Sequence, residues 1–400
     1  MLLYWIWFAH LPGLPLWAKK ELLQHFRDPE ELYFANREQL PSLEGITEDH
    51  VKALEQKDLS SAQKILDQCR KKDILVLTMG DWNYPQRLKE IPDPPVVLYY
   101  KGRLPQWDAQ PAIGVVGTRR ATGYGLQMAF QMGKQIAQCG GLVVSGAASG
   151  IDTKAMHGAL EEEKSVVGVL GCGVDVIYPR NNRKLYALTI ENGCLLSEFA
   201  PGEAPLGWHF PQRNRIISGI SNGVVVVEAP EKSGALNTAR HAKKQGRDVF
   251  AVPANVGIDN FVGSNALLEE GATAAVSGWR VVREYACLYP DAVREPGTKA
   301  ALYREAPEKK VAQKPILPEK QPKIGIDNSE NTTYSVLDNK DPALTQEEQA
   351  VLALVGRTPQ HPDTVAEKSD LPAAKVQSII TRLTVRGLLA RHGGGRISLK

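Results

Sequence analysis

The chain has 400 residues, enough for two or three domains with separate cores, and its 43% hydrophobic and 23% charged residues exclude a disordered or fibrous polymer. Its 48 basic and 45 acidic side chains leave a formal charge of +3, so any case for a polyanionic partner has to be local. The five cysteines, Cys69, Cys139, Cys172, Cys194 and Cys287, lie far apart with no CxxC pair, which disfavours a zinc ribbon or disulfide framework and suits a reducing, cytoplasmic compartment.

The apolar run at residues 2–11 is too short to span a bilayer, has no basic segment before it and meets Pro12 at once, so it reads as core and not as a targeting signal. From Leu14 to about Cys69 apolar residues recur at helical spacing, as in Leu22, Leu23 and Phe26, then Val51 and Leu54. They predict a small helical module over residues 1–72, SAM-like or helix-hairpin-helix-like. The stretch 40–54, LPSLEGITEDHVKAL, carries the hairpin likeness, but its one glycine, Gly45, favours packing over phosphate contact.

Over residues 73–287 the pattern changes to short β-branched runs alternating with helical stretches. Strands are expected at 74–77, 113–116, 142–144, 166–170, 224–228 and 249–252. Most are apolar without alternation, as strands covered on both faces of a parallel sheet are. The expected fold class is α/β, a doubly wound, extended Rossmann-like core.

Ligands of such sheets gather beyond the carboxyl ends of the strands, where loops offer amides and helix N-termini. Glycine-rich loops follow four of the expected strands. The first runs GTRRATGYG, with Gly117, Thr118, Arg119, Thr122 and Tyr124 as candidates; the second holds Ser145 and Gly146 and ends at Asp152, an expected helix N-cap. The third is Gly171-Cys172-Gly173 and the fourth Lys232-Ser233-Gly234, and together they would line a polyanion track. No GxGxxG or GxxxxGK followed by Ser or Thr occurs, so no nucleotide cofactor is expected, and no metal.

The segment HFPQRNRIISGI, residues 209–220, is the most specific. Pro211 can open a helix whose first turn carries Arg213, Asn214 and Arg215, and positive charge there opposes the macrodipole unless an anion is bound. Phe210 offers a flat face to a splayed base. Residues two apart on a helix point about 200° from each other. One of Arg213 and Arg215 is therefore expected to meet phosphate, while the other pairs with Glu198, Glu228 or backbone.

Residues 288–342 read as a linker rich in Pro, Lys and Glu. Folding resumes over 343–400. Thr345 and Glu348 form a capping box, Pro372 opens a helix with the stripe Val376, Ile379, Ile380 and Leu383, and Gly393-Gly394-Gly395 turns a hairpin. Helix, helix, helix and wing is the order of a winged helix-turn-helix. From residue 371 to 400 there are six cations and no acid, so Lys375, Arg382 and Arg386 are candidates for duplex DNA.

The ordered blocks GTRRATGYG, SGAASGID, YPRNNRKL, LLSEFAPG, HFPQRNRIISGIS, VVVVEAPEKSGALNTA and FVGSNALLEEGA resemble the DprA family of DNA-processing proteins, also called Smf, over roughly residues 75–275. The resemblance implies a core that dimerises and binds single-stranded DNA without being an enzyme, protects incoming strands in natural transformation and loads the RecA recombinase. Single-strand-binding protein is a further implied partner; a membrane is not. Carried over by position, Arg119 is the phosphate clamp, Gly117, Thr118, Ser145 and Gly146 are amide or hydroxyl donors, and Phe210, Arg213, Asn214 and Arg215 line the same groove. Ala200 and Ala254 depart from the family's usual proline and glycine, which touches loop shape. Two other readings stay in view. One is a phosphoribohydrolase-like enzyme on the same sheet, although its PGGxGTxxE string is absent and His157, His209 and His241 sit in different segments. The other is a regulator that binds duplex DNA through its winged helix.

Overall fold

A computed structural model of the chain describes every residue except 37–44, 298–344, 357–359, 370, 386–387, 392–396 and 400. It forms two compact units, Met1–Ala306 and Pro307–Lys400. Most of the expected linker, part of the hairpin-like stretch, Arg386 and the glycine turn at 393–395 lie outside the described residues.

The first unit opens with five helices, α1 (Leu2–Ala9), α2 (Leu16–His25), α3 (Pro29–Phe34), α4 (Glu48–Leu54) and α5 (Ser60–Lys71). The N-terminal apolar run is α1, and Trp5, Ile6, Trp7 and Phe8 bury it in the core. Gly45, at φ +84°, is backed by the ring of Trp17. After the module come β1 (Leu75–Thr78), α6 (Gln86–Glu90), β2 (Val97–Gly102), β3 (Ala112–Val116), α7 (Gly123–Gln138), β4 (Leu142–Ser145), α8 (Ile151–Glu161) and β5 (Val166–Val169). The unit continues with α9 (Arg183–Asn192), β6 (Cys194–Ser197), α10 (His209–Ile220), β7 (Gly223–Val226), α11 (Gly234–Lys244), β8 (Asp248–Ala251), α12 (Val262–Glu269), β9 (Thr273–Ala274) and α13 (Gly278–Val282).

Among the described residues of this unit nine strands join one sheet in the order β1-β2-β6-β5-β4-β3-β7-β8-β9. From β6 to β9 neighbours are parallel; β1 and β2 add an antiparallel edge. The Val-rich central strands are buried along their whole length, β3, β4, β5 and β7 alike. Each fully covered Val or Leu contributes about 1.5–3 kcal/mol. One face packs α7, α8, α9, α13 and the N-terminal module, the other α6, α10, α11 and α12. The chain winds outward from β3 to β6 on the first face, returns through α10 to lay β7 beside β3, and winds outward again on the second. The switch point, where such sheets bind ligands, is therefore the carboxyl end of β3 and β7.

Two helix-borne glycines bring α7 and α8 into backbone contact. A Cβ on Gly133 would stand 1.9 Å from the Ala155 carbonyl oxygen, and one on Gly158 2.1 Å from that of Phe130. The loops after β3 and β4 enter these two helices and are held at a fixed spacing.

The second unit holds α14 (Gln346–Leu354), α15 (Pro362–Glu367), α16 (Ala373–Val385), β10 (Leu389–Arg391) and β11 (Ile397–Leu399), the strands antiparallel. The expected capping box forms, Thr345 Oγ1 accepting from the Glu348 amide and Glu348 from the Thr345 amide. Pro372 stands one residue ahead of α16, and its carbonyl accepts from the Lys375 and Val376 amides. Val376, Ile379, Ile380 and Leu383 form the core with Val351, Val355 and Val365.

Candidate nucleic-acid interface

A cleft of about 900 Å³ opens at the switch point. Its walls are the loop after β3, the start of α10, and residues 230–240 of the β7–α11 loop and α11. Gly117, Thr118, Arg119, Phe210, Arg213, Asn214, Ser233 and Gly234 all line it, so the structure brings most of the candidate residues together.

Arg119 is exposed, takes part in no ion pair among the described residues, and lies with its guanidinium 4.9 Å over the Phe210 ring. Cation–π contact there holds the side chain while leaving its N–H edge to a ligand. Phe210 is braced from behind by Tyr178, ring centroids 5.5 Å apart. Behind Phe210 a recess of about 40 Å³ is lined by Tyr178, Tyr186 and Gly171. The opposite bank carries Lys232 and Arg240, also exposed and outside any described ion pair. Ser233 caps α11, accepting from the Ala235 amide. Gly234 leaves open space above its backbone.

The two arginines of α10 do other work. Arg213 is buried and donates to the carbonyls of Gly146, at 2.7 Å, and Val169. It lies so close beneath Gly146 that a Cβ there would meet its Nη1 at 2.3 Å. Arg215 does not line the cleft: it is 2% exposed and pairs with Glu198 at 2.7 Å and Asp93 at 3.2 Å. Arg215 thus takes Glu198, one of the partners expected for the arginine turned away from the ligand, while Arg213 takes backbone carbonyls through its Nη1 and still lines the cleft.

Other candidates are engaged elsewhere. The Ser145 hydroxyl donates to the Val115 carbonyl at 2.7 Å, and the Gly146 amide to Asp152 at 3.1 Å, so neither is a free donor. The Thr118 amide donates to the Glu228 carbonyl. Thr122 caps α7 and gives its amide and hydroxyl to the buried Glu228 carboxylate, which also accepts from Asn260. Tyr124 donates to the Pro253 carbonyl at 3.2 Å and packs edge-on against Phe261, outside the cleft walls. Asp152 is not the N-cap of α8, a place Gly150 holds; from the first turn it reaches back to the Gly146 and Ala148 amides. Burial pushes its pKa up to about 6, against the Arg213 and Arg119 charges and the two amides. Burial likewise lowers the Arg213 pKa.

Reasoning from sequence missed Tyr178, Asn237 and Arg240. The signal for the last two was present: Gly234, Asn237 and Arg240 recur every three residues along α11, one helix face. In the second unit, Lys375 pairs with Glu347 at 2.5 Å and Arg382 with Glu348 at 3.6 Å, so acids of α14 meet both described cations of α16. Among the described residues no cluster of His, Cys, Asp or Glu is arranged to hold a metal, and no helix is long and apolar enough to cross a membrane.

A doubly wound core with exposed cations and an aromatic ring at its switch point, joined in one chain to a small winged-helix unit, has the makeup of a nucleic-acid-binding protein. The family model described as DNA recombination-mediator protein A matches residues 75–286, and that of the DprA winged helix domain residues 337–395. The chain belongs to this DprA/Smf family of DNA-processing proteins. Protein Smf of Synechocystis sp. is 37% identical over 278 residues, covering 68% of this chain and 70% of its own. DNA processing protein DprA of Bacillus subtilis is 39% identical over 250 residues, 61% of this chain and 84% of its own. The X-ray structure of DprA from Streptococcus pneumoniae superposes with a TM-score of 0.62 at 32% identity, covering 71% of this chain and 98% of that one.

Proposed function

We propose that the chain holds single-stranded DNA in the switch-point cleft, protects incoming strands during natural transformation and loads the RecA recombinase onto them. The observation that carries this reading is Arg119, exposed, without a described ion pair and seated 4.9 Å over Phe210. A phosphate can take the guanidinium edge while a base stacks beside the ring, and neither contact depends on which base it is. DNA contact is assigned to Arg119, Phe210, Asn214, Ser233 and Gly234, with Lys232 and Arg240 on the far bank and Gly117 and Thr118 shaping the near wall. Arg213 supports that wall from below. Family membership supports DNA as the polymer and RecA as the recipient. The same reading makes the chain a cytoplasmic homodimer that meets strands coated by single-strand-binding protein and catalyses no reaction, with the winged helix as an auxiliary module.

The test has two parts. An oligo-dT mobility shift with the whole protein should give a complex that weakens with salt, and its absence would remove the ligand. RecA filament formation on strands coated with single-strand-binding protein should accelerate when the chain is added. An unchanged rate would remove the loading role and leave strand binding standing.

A further inference from the structure

Immediately before Phe210, the start of α10 carries a second aromatic surface. Trp208 is 63% exposed, an unusual position for so large an apolar ring. Its orientation is nevertheless built. The ring stands edge-on to His209, centroids 4.1 Å apart at 77°, and to Phe199 at 6.5 Å and 80°. His209 is itself buried and stacked on Phe199 at 3.8 Å, and its Nδ1–H donates to the Gly171 carbonyl at 3.1 Å. Gly171 also lies under the other ring: a Cβ there would touch Phe210 at 3.0 Å. One glycine thus ties the Trp208 wall and the Phe210 ring to the same point of the loop after β5.

We infer that Trp208 is a second base-stacking platform, beside the cleft at the same helix start and taking the nucleobase face of a single strand of DNA. The inference rests on the strand-binding reading above and lengthens the site beyond the cleft walls. Two residues apart at a helix start, Trp208 and Phe210 point to different sides of the axis, so they serve two different bases. The chemistry selects a base and not a phosphate, because the indole offers an apolar face that carries no charge to hold an anion and loses none by being covered. Any base has such a face, so the platform adds affinity without sequence preference.

The experiment compares two strands of equal length by fluorescence anisotropy, an oligo-dT and a spacer strand with the same phosphates but no bases, on the whole protein and three variants. Trp208→Ala should bind oligo-dT about fivefold more weakly or worse and the spacer strand unchanged, while Trp208→Phe keeps most of the affinity. Arg119→Ala should weaken both strands, because it loses a phosphate contact. If Trp208→Ala binds oligo-dT like the parent while Arg119→Ala is weakened, the platform is wrong and the cleft stands. If neither variant changes, the strand-binding reading falls with it. An equal loss on both strands for Trp208→Ala, or a thermal unfolding midpoint shifted from the parent's, assigns the residue to loop structure and overturns the stacking role.

Discussion

The rim of the cleft and the ground beneath it hold the same residue type in opposite states. Arg119 and Arg240 at the rim are exposed and outside any described ion pair, whereas Arg213 and Arg215 lie buried among carbonyls and carboxylates. A guanidinium whose charge is answered within its own chain holds wall to floor; one outside any described ion pair keeps N–H donors for a ligand, as Arg240 does although its Nε donates to the Leu236 carbonyl. The winged helix extends the lesson, since two cations of its positive stretch, Lys375 and Arg382, are answered by Glu347 and Glu348 from α14. Local charge counted along a sequence is therefore not available charge.

The largest effect should come from below. Arg215→Met leaves Glu198 half-buried without its partner and should lower the unfolding free energy by about 3–5 kcal/mol, read by urea denaturation. A stability equal to the parent's would erase the distinction between floor and rim. At the rim, Arg119→Ala should leave the denaturation midpoint in place, weaken oligo-dT binding about tenfold, about 1.4 kcal/mol, and reduce the slope of log affinity against log salt by about 0.7. A variant with unchanged affinity and slope would refute the clamp.

Asp152 gives a smaller and sharper probe, because it lies buried at the cleft with its pKa raised by burial to about 6. Above that pH its carboxylate adds negative charge beside the phosphate path; below it the group is neutral. Oligo-dT affinity should rise about twofold as pH falls through about 6, one charge being partly screened by salt, and Asp152→Asn should abolish the rise. Stability follows the same sign. The folded pKa stands above the ordinary value, so the folded state binds the extra proton, and the parent should lose stability as pH rises from about 4 to about 6. Asp152→Asn should flatten that slope in denaturation curves. The smallest effect belongs to the winged helix, where Lys375→Ala with Arg382→Ala should change oligo-dT affinity less than about twofold, the range of one screened surface charge. A larger loss would move part of the strand site into that unit.

The central strands were legible because Val-rich runs such as 224–227 lie under helices on both faces and carry no polar alternation. β2 and β6 were not. β2 follows Pro92, Pro94 and Pro95 and reads as a continuation of a loop, and β6, Cys194–Ser197, is four residues without a β-branched side chain. At the site, Arg119 and Phe210 were legible from residue type and placement. The engagement of Ser145 and Thr122 was not, because their partners lie elsewhere in the fold. Val115 lies 30 residues from Ser145 and Glu228 106 from Thr122, separations that no local pattern encodes. Tyr178 escaped notice for the same reason: only the return of α10 across the sheet sets Phe210 against it.

The glycine-lined contact between α7 and α8 bears on how such a protein can diversify. Because a single methyl group at Gly133 or Gly158 would drive the two backbones apart, the near bank of the cleft is a rigid chassis whose width cannot be retuned loop by loop. New ligand preferences must arise from side chains exchanged on that chassis, or from side chains of the far bank, which α11 carries on the opposite side of the sheet.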